Sequence, residues 1–384
     1  MNRKIGILSV YNHNYGSILQ AYALQQVLEN MGHDTEILVY KKTNYVSQAA
    51  RLLYYPLLKA TAKRVWKDIY CKFFHRDIYG GVLAGRETAF CEFIRKNMHF
   101  SETYIGRSAL IRACDNYDCF VLGSDQVWNP MNLGGDYYTM TFIGSEKKKV
   151  TYAPSFGVAR IPKNQEKKTK QYLERIDFIS VREPEGQKIV ADLTGRTAEV
   201  VVDPTLLVDR EFWDLRKGGR LISDSYILCY FISPNPSYRK FSENLRKKTG
   251  LKIVSIPHVD EFVRADVGYA DYEPTEIGPF QFINLIANAA YVCTDSFHGS
   301  VFSAIYERTF FTFTRYQNDE KDSTNSRLYS FLKMTGLEDR LFRPDQPLQD
   351  RDFISMEFSS AKERMEGCRR RSMDYLEHAL KDER

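Results

Sequence analysis

Short apolar runs that exit into polar, glycine-bearing stretches, each followed by a helical stripe, alternate along most of the chain. The run KIGILSV (4–10) reads as a buried parallel strand, because a strand covered on both faces is apolar throughout. After the polar YNHNYGS, Ala21, Leu24, Leu28 and Met31 share one face of a helix. Gly32 is placed to end that helix, and TEILVY (35–40) reads as the next strand. Strand, loop, helix and strand in this order make the repeating unit of a doubly wound sheet.

The same grammar recurs in YDCFVLG (117–123), KKVTYAPSFG (148–157), DFISVRE (177–183) with a helix over 185–193, and AEVVVDP (198–204). A second series starts near residue 221. Its strands are SYILCYFIS (225–233), LKIVSIP (251–257), AAYVCTD (289–295) and TFFTFTR (309–315), and helical patterns occupy 237–249, 278–288, 299–307 and 325–335. The pattern predicts an α/β chain of two Rossmann-like domains facing a cleft, 1–218 and 219–340. A tail at 341–384 carries a charged helix (358–382) that packs back across them.

Residues 46–100 break the alternation and read as a helical insert in the first domain. Within it RLLYYPLLKATAKRVWKDIYCKFFHR (51–76) is basic and aromatic, with Asp68 its only acid and Pro56 interrupting it. Two readings stand: the aromatic residues pack onto the first domain, or the segment lies on an anionic membrane surface.

Composition narrows the class. With 384 residues, 43% apolar and 27% charged, the chain is of a size and balance for a globular protein of two domains. A net charge of +5 is mild. It gives no reason to expect nucleic acid, and suits small anionic substrates or an anionic membrane surface. The seven cysteines are scattered and form no C-x-x-C, so neither a zinc ribbon nor a redox pair is indicated, and they read as thiols in a reducing compartment. No run of about 20 apolar residues exists, and the first apolar stretch is too short for a signal peptide. The expected location is the cytoplasm, peripheral on the inner membrane face under the second reading of 51–76.

In an open parallel sheet functional side chains collect in the loops after the strand ends. Here those loops hold Asn12, Asn14, Tyr15 and Gly16; Ser124, Asp125, Gln126, Trp128 and Asn129; and Ser155, Phe156 and Gly157. Later exits hold Arg182 and Glu183, then Asp203, His258, and finally Asp295, Ser296, His298 and Gly299. Each has a bland reading: NYGS as a tight turn, DPT (203–205) as a turn and cap, Asp295 and Ser296 as helix caps, Arg182 and Glu183 as structural ion pairs. GSDQVWNP (123–130) puts a carboxylate, an amide and an indole together, which suits a sugar's apolar faces and polar edges, although Trp also serves packing. His298 precedes GSVFSAIYE, whose Val301, Phe302, Ile305 and Tyr306 would dock a helix on the sheet. The backbone N–H groups around Gly299 and Ser300 would then face the cleft as a phosphate site, with the imidazole beside them as acid or base.

Dinucleotide, P-loop, zinc-protease and nucleophile-elbow motifs are missing from the sequence. The one D-x-D, Asp350-Arg351-Asp352, sits in a late polar stretch, and nothing in the sequence demands a metal or a cofactor.

Taken together, KIGILSVYNHNYGSILQAYALQQVL, VLGSDQVWNP, YAPSFG, SVREPEG, VVDPTLLV, CTDSFHGSVFSAIYERTF and NSRLYSFLKMTGLEDR resemble the polysaccharide pyruvyl transferase family, from residue 4 to about 340. The resemblance implies a GT-B-like pair of Rossmann domains, with the acceptor on the first and the donor on the second. It also implies transfer of pyruvate from phosphoenolpyruvate to a sugar of a cell-surface polysaccharide, in some systems still on a lipid carrier. A lipid-linked acceptor would give segment 51–76 a reason to touch membrane. By the same resemblance His298, Asp125, Arg182 and Arg327 are candidate catalytic residues. The candidate substrate ligands are Asn14, Tyr15, Gly16, Ser124, Gln126, Trp128, Asn129, Ser155, Gly157, Glu183, Asp295, Ser296, Gly299, Ser300 and Asn325. Many members carry an arginine two positions before the motif histidine, where this chain has Ser296, so Arg182, Arg315 or Arg327 must supply that charge. A GT-B glycosyltransferase using a nucleotide sugar and a non-catalytic glycan-binding protein are the competing readings.

Overall fold

The computed structural model describes residues 2–11, 14–42, 76–131, 137–258, 263–315, 325–353 and 357–381. All but the last residue of the basic aromatic stretch 51–76 lies outside them.

The first sheet is built from β1 (Lys4–Leu8), β2 (Asp34–Lys41), β3 (Phe100–Ile105), β4 (Cys119–Leu122) and β5 (Lys148–Thr151), in the order β3-β2-β1-β4-β5. Every pairing is parallel. Between β1 and β2 runs α1 (Tyr15–Asn30), opened by the Asn14 side chain, which accepts hydrogen bonds from the N–H groups of Gly16 and Ser17. Gly32, at φ +87°, provides the left-handed turn that follows it. The region read as an insert contributes α2 (Arg76–Asn97), and β3 directly after it adds an edge strand. FSETYI has too few apolar positions to announce itself as a strand, since only Tyr104 is fully buried.

α3 (Arg107–Ala113), α4 (Lys163–Leu173), the strand pair β6 (Ser180–Val181) and β7 (Glu199–Val200), α5 (Pro184–Thr194) between them, and α6 (Arg210–Asp214) complete this half. The second sheet comprises β8 (Tyr226–Tyr230), β9 (Lys252–Ser255), β10 (Tyr291–Thr294) and β11 (Thr309–Thr312), ordered β11-β10-β8-β9 and again parallel. Its helices are α7 (Pro236–Thr249), α8 (Pro279–Asn288), α9 (Phe297–Ile305) and α10 (Ser326–Thr335).

Both strand orders reverse direction at one point, between β1 and β4 in the first sheet and between β8 and β10 in the second. Such switch points open a crevice at the carboxyl ends of the strands. Here the two halves meet through a continuous apolar core, in which Tyr15 stacks on Phe282 at 4.5 Å and donates a hydrogen bond to the Ile277 carbonyl at 2.8 Å. A final helix, α11 (Ser359–Lys381), packs beside α10 and returns to the first half. There the Ser372 hydroxyl accepts from the Val202 N–H, the Tyr375 hydroxyl donates to the Thr151 carbonyl, and Lys148 Nζ donates to the Ala379 carbonyl.

Candidate active site

The loop after β4 turns sharply at Asp125, whose φ of +75° lies in the left-handed region that non-glycine residues rarely enter. That conformation is held on both sides. The Asp125 carbonyl accepts from Val127 and Ser155 N–H groups, and the carboxylate accepts from Ser17 Oγ at 2.7 Å across the first switch point. Arg327 Nη1 stands 3.5 Å from Asp125 Oδ1, and Arg182 Nη2 stands 3.8 Å from it. Burial alone pushes the Asp125 carboxyl up, but Arg182, Arg327, His298 and the Ser17 hydroxyl outweigh it and hold the group below its ordinary value.

His298 enters from the other side, in the first turn of α9 after β10. Its Nε2 lies 3.6 Å from Asp203 Oδ2, an ion-pair distance too long for a hydrogen bond, so this buried nitrogen has no hydrogen-bond partner. The opposite edge of the ring rests against Gly16: a Cβ added there would stand 1.9 Å from His298 Nδ1. The imidazole of the second sheet is therefore seated between a carboxylate and a glycine of the first.

Asp203 is fully buried and anchors the arrangement. It accepts from the N–H and hydroxyl of Thr205 and takes Arg182 Nη1 at 2.8 Å. Burial opposes its ionisation, but the His298 imidazole and the Arg182 guanidinium prevail and keep it far below the ordinary carboxylate range. Arg182 in turn touches Asp125, Glu183 and Asp203, and lies 5.0 Å over the Phe297 ring, which Arg327 also faces at 5.9 Å. Burial and the neighbouring Arg182 bring the Arg327 guanidinium down to about 10. Glu183 behaves oppositely to the two aspartates: burial dominates and raises its pKa, even with Arg182 nearby and the Ser155 hydroxyl donating to it. Arg182 Nε and Nη2, Arg327 Nε, Gln126 Nε2 and Glu183 Oε2 are buried without hydrogen-bond partners, so this cluster retains donors and an acceptor for a ligand.

The structure brings His298, Asp125, Arg182 and Arg327 into one cluster, with Ser124, Ser155, Gly157 and Glu183 around them. Other predicted ligands have structural occupations. Tyr15 is wholly buried in the interdomain core, and Asn14 caps α1. Trp128 is also wholly buried, packed on Phe156 and Tyr172, so it offers no face to a sugar. Asn129 accepts from the Met131 N–H, and Asn325 from the Arg315 N–H. The Asp295 carboxylate binds the Ile232 and Ser233 N–H groups across the second switch point. Ser296 caps α9, and its hydroxyl and carbonyl take the Gly299 and Ser300 N–H groups that were expected to face a phosphate. A Cβ at Gly299 would meet Thr294 at 2.5 Å, so that glycine serves helix-to-strand contact.

Three contributors carried little sequence signal in this role. Asp203 reads as a turn before Pro204, Ser17 lies inside α1, and Phe297 looks like one more apolar helix residue. Beside the cluster, bounded by Arg182, Asp203, Phe297 and Arg327, opens a cavity of about 500 Å³. Among the described residues no group of three His, Cys, Asp or Glu side chains could hold a metal ion.

Two all-parallel sheets meeting at their switch points define a GT-B-type fold. The UDP-GlcNAc 2-epimerase of Neisseria meningitidis, solved bound to UDP-GlcNAc, has a similar structure, with a TM-score of 0.52 and 8% identity over 99% of this chain and 100% of that one. A glycosyltransferase from Rickettsia africae ESF-5 is also similar, with a TM-score of 0.52 and 10% identity over all of both chains. At such identities the likeness establishes the fold alone. No curated protein matches the sequence. The family model for polysaccharide pyruvyl transferase matches residues 14–317, and the chain belongs to that family. It is a transferase with a role in polysaccharide pyruvylation and a sugar or polysaccharide as acceptor.

Proposed function

We propose that the enzyme moves pyruvate from phosphoenolpyruvate to two hydroxyls of one sugar, forming a ketal and releasing phosphate. The observation that supports this is the convergence of the His298–Asp203 pair with two guanidiniums that keep unpartnered buried nitrogens, Nε and Nη2 of Arg182 and Nε of Arg327. Carboxylate and phosphate are the two anionic ends of the donor, and arginine suits both through paired, planar hydrogen bonds.

In this reading Arg182 and Arg327 hold the donor's charges. Protonation of its methylene carbon by His298 makes a cationic centre at C2, which one sugar hydroxyl attacks. Phosphate then leaves with the C2–O bond electrons, and the second hydroxyl closes the ketal. Of the two hydroxyl protons, one replaces the proton given to carbon and the other leaves with phosphate. Asp203 holds the imidazole in place and stabilises its charged form, while Asp125 accepts a sugar hydroxyl or its proton. Positioned proton transfer contributes about 10²–10⁴-fold, which sets the loss expected for His298→Ala.

The acceptor belongs to a cell-surface polysaccharide or its precursor on a lipid carrier. The reaction takes place in the cytoplasm or at the inner membrane face, with segment 51–76 as the membrane contact. No described helix is long and apolar enough to cross a membrane.

The deciding assay is phosphate release from phosphoenolpyruvate across a panel of glycosides and lipid-linked sugars. Thermal shift complements it, since a ligand at 100 times its Kd adds about 2.7 kcal/mol. Stabilisation by phosphoenolpyruvate supports the donor assignment. Stabilisation by nucleoside diphosphates alone would turn the reading to a glycosyltransferase, and by neither to a glycan-binding protein.

A further inference from the structure

In a doubly wound sheet the turn after the first strand is where a nucleotide's phosphates settle. Glycines there let the ligand approach, and backbone N–H groups at the start of the next helix point at it. The second sheet opens with β8, which borders its switch point, and the turn that leaves β8 is FISPNPS (231–237). It has no glycine, and Pro234 and Pro236 have no N–H to give.

The N–H groups that remain are bonded inside the chain. Those of Ile232 and Ser233 donate to Asp295 Oδ1 at 2.6 Å and Oδ2 at 2.8 Å, across the switch point from the end of β10. The Asn235 N–H donates to Ser233 Oγ, while the Asn235 side chain and carbonyl accept from Ser237 and Tyr238. Arg239 holds the turn in this form. Anchored on Asp266 at 2.7 Å, it donates to the Ser233 and Asn235 carbonyls.

Asp295 therefore stands where a ligand's anion would stand, and it is buried. Burial raises the pKa of its carboxyl, while Arg315, the two N–H groups and His258 favour the ionised form. Beside it, bounded by Phe297, Arg315 and Arg327, a hollow of about 20 Å³ has room for one water but not for a phosphate.

We propose that Asp295 is a specificity-determining residue: its carboxylate occupies the phosphate cradle of the second half and keeps nucleoside diphosphates, with the sugars they carry, out of it. The turn that would hold a diphosphate is retained, but the chain supplies the anion itself. Anionic ligands are left to the guanidiniums of Arg182 and Arg327. The assignment concerns what the second sheet refuses, and it stands whether or not phosphoenolpyruvate is the donor.

Asp295→Ala removes the very group that formate can restore. Thermal unfolding of the full-length wild type and the variant is followed with sodium formate and with sodium chloride at the same ionic strength. Formate is expected to raise the midpoint of the variant by about a few degrees over chloride and to leave the wild type level. Calorimetric titration with UDP, ADP and inorganic pyrophosphate gives the second readout. UDP and ADP should bind the variant at least about tenfold more tightly than the wild type, the gain expected when charge-assisted hydrogen bonds become available to a ligand. Pyrophosphate shows how much of any wild-type response belongs to the Arg182–Arg327 cluster, which both proteins share.

No formate gain in the variant, or equal nucleotide affinity in the two proteins, overturns the proposal. A formate gain without a nucleotide gain makes the carboxylate a strut for the turn and overturns the exclusion as well. If Asp295→Ala is recovered folded only when formate is present, that is the expected rescue. If it does not fold at all, Asp295→Asn, which keeps one acceptor and loses the charge, carries the nucleotide comparison with the same expected direction. Phosphate release from phosphoenolpyruvate by the wild type decides the donor assignment separately. Tight binding of UDP by the wild type overturns this inference and favours a glycosyltransferase.

Discussion

Replacing Gly16 by alanine tests the geometry of the site at one atom. The added Cβ would lie 1.9 Å from His298 Nδ1 and 2.5 Å from Cγ and Cε1. Ordinary contact needs about 3.5 Å, so the ring must retreat by roughly 1.5 Å. Gly16 cannot retreat instead, because the adjoining Tyr15 is locked against Phe282 and Ile277. Straight retreat is blocked by Asp203, 3.6 Å from Nε2 on the other side, so the ring must swing sideways and lose its alignment with that carboxylate. Misplacement by about 1 Å costs about 10²-fold in rate, and kcat for phosphate release should fall by that much.

Stability gives a second readout that needs no substrate. Gly16 lies in the first turn of α1, where alanine is favoured over glycine by about 1 kcal/mol, while overpacking costs about 1–3 kcal/mol. In the wild-type background these terms oppose each other, so the urea midpoint should stay level or fall. In His298→Ala the ring is gone, and the same substitution should raise stability by about 1 kcal/mol. Its effect on kcat should vanish there too, because the double variant has no imidazole left to displace. Full activity in Gly16→Ala, or the same stability change in both backgrounds, would refute the steric argument.

Asp203→Asn should destabilise by about 3–5 kcal/mol in urea unfolding, because it leaves the buried Arg182 without its closest counter-charge. Asp203 also has a folded-state pKa below its unfolded value, so its stabilisation is present above the ordinary pKa of about 3.9 and lost as pH falls below it. The acid limb of a stability–pH curve should therefore be shallower in Asp203→Asn. Glu183 has the opposite sign: its raised folded-state pKa makes it cost stability as pH climbs above about 4.3, and Glu183→Gln should flatten that loss. Trp128→Ala should lower stability by about 3–5 kcal/mol while leaving the KM of the folded fraction unchanged, a split opposite to that of a sugar-stacking residue.

The alternation of apolar runs and turn residues made most of the architecture legible. Each described strand from β4 to β11 lies within a run read as extended. Most are apolar from end to end because both faces are covered, whereas β5 opens on two lysines and the exposed β7 was legible only through the apolar residues that follow it. The strand that escaped, β3, is an exposed edge, where solvent removes the need for such a run. In the site, legibility followed the side chain's reach. His298, Asp125 and Arg182 stand at strand exits, which the sheet topology makes meaningful before any coordinates exist. Asp203 does stand at such an exit, but a carboxylate before proline also caps a turn, and here it does both. Tyr15 and Trp128 sit beside the cleft in sequence, yet burial turned them inward, and no local pattern distinguishes an aromatic ring that packs from one that binds.

The last helix has a consequence for the order in which the protein can be made. Val202, Thr151 and Lys148 of the first half are bonded by Ser372, Tyr375 and Ala379. Those partners leave the ribosome only after the entire second sheet has been synthesised, although domains commonly fold in turn as they emerge. The first half must wait through the translation of its neighbour with part of its surface uncovered. A nascent chain stalled near residue 350 should accordingly be more open to protease around 150–200 than the released protein.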